Sequence, residues 1–230
     1  MIKAAGARRL VGGMTLLGVS AAVVIAFAPR AGDARPALRP PQSPNDAEMV
    51  GRLLASVRGA APLYCELATR LVDRRGWWSS SGMSLIEVDS ASAALIRWTY
   101  SDHDDARVVP RLAAGVRDED RCVRRIAGAM LGRVHHASAT ATLRESLGHP
   151  NEGTRAAAAI GLGIAEQESA VQALIGRLRD SSPEVRRSAA WALGSIEHRS
   201  ALVPLIELLE RDTDPRVRQA AAWAIGAVTG

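Results

Sequence analysis

Side chains that ionise, ligate or attack are few enough in this chain to be taken one at a time. The five histidines are His103, His135, His136, His149 and His198. His103-Asp104-Asp105 supplies three metal-capable groups, but they are adjacent and lie in an expected inter-helix turn, which reads as a cap rather than an ion site. His135 and His136 close an expected helix, where a cation is favoured by the C-terminal dipole and needs no other role. Ser79-Ser80-Ser81-Gly82 offers hydroxyls without the Gly-x-Ser-x-Gly elbow that would expose a nucleophile, so it reads as a flexible turn. No catalytic residue, metal ligand or cofactor site is expected. Cys65 and Cys122 are the only cysteines. They can pair in one way, or Cys65, among Leu63, Leu67 and Ala68, can stay an ordinary buried thiol. Trp191 and Trp223 each stand three residues before a glycine. At about 100° per residue, Trp191 is roughly 120° from the stripe that contains Val185, so it either packs between helices or faces a groove and grips a partner. Trp77 and Trp78 are similar candidate partner-binding anchors.

The elements that must position these residues are helical. The chain has 230 residues, of which 47% are hydrophobic but only 3% aromatic, so the core must be built from Ala, Leu, Val and Ile. Alanine loses no side-chain entropy in a helix, and the expected class is all-α. Rows beginning at Val109, Thr140, Val171 and Leu202 repeat every 31 residues, which brings Leu112, Leu143, Leu174 and Leu205 into register, together with Gly132, Gly163 and Gly194. Gly226 falls one residue late because the turn from Arg211 to Pro215 is longer. A fixed period of this length marks a solenoid, since one unit cannot bury its own apolar face. Each row reads as two helices. Val171, Leu174, Ile175 and Leu178 form the stripe of a first helix. Val185, Ala189, Ala192, Leu193 and Ile196 share a face of the second. Between them, Ser182 can cap and Pro183 fits the first helical position; Asp214-Pro215 repeats the device.

The recurring pattern, Leu-x-x-x-Leu, then Asp and Pro in the turn, then Val-Arg-x-x-Ala-Ala-x-Ala-Leu-Gly, resembles the HEAT repeat, in the short form named after phycobilisome lyases. The resemblance covers about Val108 to Gly230 and implies a right-handed α-α superhelix. It also implies that a turn acid pairs with the Arg after the Val of a neighbouring repeat. Those positions are Asp118, Asp180 and Asp212, and Arg124, Arg155, Arg186 and Arg218. The second row departs, with His149 in place of the acid and Thr154 in place of the valine. Lyase activity does not follow, because the repeat is widely shared. The His-Glu pairs that iron-dependent deoxyhypusine hydroxylases carry on successive repeats are absent here.

Four regions follow. Residues 1–28 hold Lys3, Arg8 and Arg9 ahead of a charge-free run from Leu10 to Ala28, long enough for about 30 Å of hydrocarbon. They read as a membrane anchor or a signal peptide, with Ala26-Phe27-Ala28 and Gly32-Asp33-Ala34 as cleavage candidates. Residues 29–44 are a Pro- and Arg-rich spacer. Residues 45–105 read as degenerate repeats: helices at 46–58 and 62–75, an irregular stretch at 77–89 with a short strand possible at 84–88, and a helix at 90–100. Residues 106–230 are the four clear repeats. The formal charge is +5, but residues 1–30 carry four basic residues and no acid, leaving the rest at +1. That balance argues against nucleic acid as a partner. The expectation is a scaffold for an unidentified protein partner, displayed outside the cytoplasmic membrane and periplasmic in a Gram-negative bacterium. The alternative is an enzyme or small-ligand binder using the 77–89 insertion. With no polar capping helix after Val228, self-association through that end is a further expectation.

Overall fold

A computed structural model describes residues 46–61, 65 and 104–230, and among these every regular element is helical. The helices are α1 (Asp46–Ser56), α2 (Val109–Val116), α3 (Arg121–Leu131), α4 (Ala137–Ser146), α5 (Glu152–Ile164), α6 (Val171–Arg177), α7 (Pro183–Ile196), α8 (Leu202–Arg211) and α9 (Pro215–Thr229). From α2 onward they pair as four hairpins. Three-residue 3-10 turns lead into α2, α6 and α8. The leucines in 31-residue register, Leu112, Leu143, Leu174 and Leu205, are all wholly buried.

Small residues set how the hairpins stack. The second helices α3, α5, α7 and α9 form the closely packed row, and the first helices pack mainly on their own partners. A Cβ on Gly128 would collide with the Ala157 carbonyl, and one on Gly161 with the Gly128 carbonyl. Backbone therefore meets backbone between α3 and α5, a separation that larger side chains forbid.

Turn chemistry differs from the sequence reading at two points. Ser182 does stand at the N-cap of α7, with Pro183 in the first turn, but its hydroxyl makes no capping bond. The Asp180 carboxylate instead accepts from the Ser182 N–H at 3.0 Å. His136 does not serve the end of a second helix. It is the N-cap of α4, where its Nδ1 accepts from the Ser138 N–H. Asp120, Asn151 and Asp214 cap α3, α5 and α9 in the ordinary way.

Upstream, α1 packs on α2, α3 and the 3-10 turn before α2, burying Val50, Leu53 and Leu54, with Val57 of the turn after it also buried. Cys65 and Cys122 are bonded to each other, with Cα atoms 5.2 Å apart and both residues buried. Of the two readings for Cys65, the free thiol is thus the incorrect one. Helicity alone could not decide it, because the pairing depends on the distance between segments 57 residues apart in sequence. The expectations for residues 1–44, for a helix over 62–75 beyond Cys65, for the 77–89 stretch with Trp77 and Trp78, and for 90–100 lie outside the described residues. No helix among the described residues is long and apolar enough to cross a membrane.

Closing a loop of this length with a covalent bond removes unfolded-state entropy equivalent to about 4 kcal/mol. Replacing both cysteines by alanine, or reducing the bond, is expected to lower unfolding free energy by roughly 2 to 4 kcal/mol in urea titrations. A loss below about 1 kcal/mol would mean that packing alone holds the upstream segment to α3.

Candidate partner-binding surface

The repeat arginines share one anchoring geometry. Nη1 of Arg124, Arg155, Arg186 and Arg218 donates to two carbonyls in the turn just before its own helix, as with Arg155 to His149 and Pro150 at 2.9 Å each. In Arg155 and Arg186 this leaves the Nε and Nη2 edge of the guanidinium facing the following repeat. Arg155 meets Asp180 there with two bonds, 2.8 and 2.7 Å. Arg186 meets Asp212 in the same way at 2.6 and 2.9 Å. These are the fork-to-carboxylate pairs that only arginine makes. Both carboxylates are nearly sealed, with 4% and 3% of their side chains exposed. Asp118 is also paired, but its partner is Arg58 from the turn after α1, at 2.9 and 2.6 Å.

The second repeat breaks the series. His149 keeps one task of the turn acid: its Nδ1 accepts from the Asn151 N–H, as Asp118, Asp180 and Asp212 accept from the N–H two residues on. It brings no carboxylate to Arg124, whose buried Nε has no partner. Gly153 makes room for that guanidinium, since a Cβ there would lie 2.6 Å from the Nε. Thr154 supplies a different tie, its hydroxyl donating to the Val116 carbonyl at 3.0 Å.

Trp191 and Trp223 are stacked, with ring centroids 6.4 Å apart and planes within 9°. Each ring also lies over a glycine of the preceding repeat: a Cβ on Gly163 would come within 2.9 Å of the Trp191 ring, and one on Gly194 within 2.7 Å of the Trp223 ring. Packing between helices therefore accounts for Trp191, which is half-buried. Trp223 shares that packing yet keeps 49% of its surface exposed. Val203 and Ile206, at 65% and 38%, are exposed on the same repeat.

Sequence reasoning missed Glu184. It stands at the start of α7 and is reached by Arg121 and Arg125, two repeats earlier, and by Arg187, each at 3.2 Å. Burial pushes its carboxyl up, but Arg187, Arg121 and Arg125 together outweigh that and hold it below the ordinary range. The signal was the row at 125, 156 and 187, where arginine gives way to Ala156 between two repeats that keep it.

A cleft of about 440 Å³ lies between α1 and the α2–α3 hairpin, lined by Leu54, Ala114, Arg52, Arg58, Glu48 and Asp118 among others. Its arginines 52 and 58 are bonded to Glu48 and Asp118. Among the described residues no group of three or more His, Cys, Asp or Glu is placed to hold a metal ion. His136 and His198 are occupied as caps.

The model for HEAT repeats matches residues 109–183 and 172–230, more than half of the chain. The chain belongs to the HEAT repeat family. Among solved structures it is similar to human deoxyhypusine hydroxylase in complex with glycerol, at 20% identity and a TM-score of 0.45, covering 80% of this chain and 67% of that one. It is also similar to an engineered protein, at 19% identity and a TM-score of 0.39, covering 78% and 96%. A search of curated proteins finds none that matches.

Three outcomes are expected from the ladder. Asp180→Ala strands a nearly buried guanidinium and should cost about 3 kcal/mol, and Asp118→Ala, whose partner Arg58 is 55% exposed, should cost clearly less; chemical denaturation would show equal small losses if the pairs were incidental. Arg155 and the Ser182 N–H hold Asp180 low against the effect of burial, and Arg186 holds Asp212 low. Folded-state pKa values depressed in this way give stability that is present above about pH 4 and lost as pH falls through the folded values. Asp180→Asn should flatten that acid limb. His149→Asp should keep the turn bond and supply Arg124, raising stability by about 1 kcal/mol; an unchanged or lower melting temperature would show that Arg124 needs no carboxylate.

Proposed function

We propose that this chain is a non-catalytic protein-interaction scaffold of HEAT repeats, displayed outside the cytoplasmic membrane. The supporting observation is where large apolar side chains reach solvent. Of the four exposed among the described residues, Val203, Ile206 and Trp223 belong to the last repeat. Exposed aromatic and aliphatic groups gathered on one repeat are what a partner-binding patch needs. The buried carboxylates of the turns, by contrast, are engaged in holding repeats together. Trp77 and Trp78 extend the proposed partner-binding set, with Trp191 as the support beneath Trp223.

Location rests on two supports of different kinds. The charge-free run from Leu10 to Ala28 behind Lys3, Arg8 and Arg9 has the form of an export or anchor segment. A buried disulfide such as Cys65–Cys122 is of the kind that persists where thiols stay oxidised, which supports the same reading.

Cross-linking and affinity capture from membranes with the wild-type chain and with Trp223→Ala tests the reading. The variant should lose the captured partner at least tenfold while keeping its helical circular dichroism. The same partners in the same yield from both chains would remove Trp223 from the binding surface.

A further inference from the structure

We infer that Glu184 works as a clasp that sets the curvature of the repeat stack. By holding Arg121 and Arg125 it draws the first repeat toward the third, and its release opens that edge of the stack.

Contact between these two repeats is not something the architecture supplies. Stacked repeats touch their immediate neighbours. Here α5 packs against α3 and against α7, while α3 and α7 share no packed face. Axes of packed helices stand about 8–10 Å apart, so a flat row would set α3 and α7 about 16–20 Å apart. An arginine of α3 meets a glutamate of α7 only where the row bends and both side chains reach around the helix between them. Nη2 of Arg121 donates to Oε2 of Glu184 at 3.2 Å, and Nη1 of Arg125 donates to Oε1 at 3.2 Å, across 63 and 59 residues of sequence. Each carboxylate oxygen thus takes one arginine from the first repeat. Arg187, within one turn of Glu184 on α7, donates to the same Oε1 and steers the carboxylate.

The clasp is built differently from the arginine ladder. The ladder carboxylates Asp180 and Asp212 are 4% and 3% exposed, whereas Glu184 is 31% and Arg121 58% exposed. Ions in solution screen exposed pairs far more than buried ones. The ladder therefore keeps neighbouring repeats joined under conditions in which the clasp lets go. Arg121 and Glu184 both stand in the first turns of their helices, so release separates the turn of the first repeat from the turn of the third.

The test measures that separation in the full chain. Spin labels are carried on encoded non-cysteine residues, which leaves the Cys65–Cys122 bond intact. One pair sits at Glu119 and Ser181, in the turns of the first and third repeats, and a control pair sits at Ser181 and Thr213; all three positions are exposed. Glu184→Gln should lengthen the first distance by about 3 Å or more, the length of one further hydrogen bond when water enters between the separated groups. The control distance, held by Arg186 and Asp212, should stay the same. Raising sodium chloride to about 1 M, where screening acts within about 3 Å, should lengthen the first distance in the wild-type chain and add nothing in Glu184→Gln. Arg121→Gln, at an exposed side chain, should move it in the same direction and serves if Glu184→Gln does not fold. An unchanged first distance in the variant, equal lengthening of both pairs, or a salt response of the same size with and without Glu184 overturns the inference.

Discussion

Everything in this fold depends on how closely the second helices approach. With 3% aromatic residues, the core has few large side chains to fill wide gaps, and dispersion contacts must come from short distances. Alanine and glycine at the crossing points meet that need. Gly128 and Gly161 bring backbones of α3 and α5 into contact, and Gly163 and Gly194 admit the edge of an indole. The two tryptophans in the described repeats are large knobs whose sockets exist only because the neighbouring position has no side chain.

Close approach also brings the turns of successive hairpins within reach of a single arginine. An isolated ion pair of this kind, taken out of water, contributes little net stability by itself. What it adds here is register. A guanidinium clamped by two carbonyls accepts a carboxylate from one direction only, so a hairpin displaced along the stack would bury both charges unpaired. The apolar row tells hairpins to stack, and the arginine ladder tells them where.

The parts legible from sequence were those carried by the period. Leu112, Leu143, Leu174 and Leu205 and the interruption at His149 follow from writing the rows in register, and the pairing of turn acids with repeat arginines came from the family resemblance, which named the positions but not which arginine meets which acid. What escaped was whatever joins unequal positions. Glu184 collects arginines from its own repeat and from two repeats away, and Arg58 reaches Asp118 from a turn that carries none of the motif. Cys65 and Cys122 gave no sign of their distance. His136 was misassigned because a residue between two helices belongs to whichever helix its ring can reach, and one donor N–H decides it. Trp191 and Trp223 were recognised as a pair, but only the location of Gly163 and Gly194 shows that both are seated.

The interruption at His149 has a meaning for how the molecule comes apart. Stacked repeats behave as a one-dimensional chain of units in which stability is the sum of each unit and its couplings to its neighbours. In such a chain a melting front advances from an end until it meets a change in coupling. The first repeat is tied backward, through Asp118 to Arg58 and through Cys122 to Cys65, whereas forward it lacks the buried arginine-to-carboxylate fork and keeps only the more exposed pairs of Arg117 with Glu145 and of Arg121 and Arg125 with Glu184. Repeats two to four are tied to one another at both junctions. The buried arginine ladder is therefore interrupted inside the run of similar repeats, between α3 and α5, and not where the recognisable repeats begin.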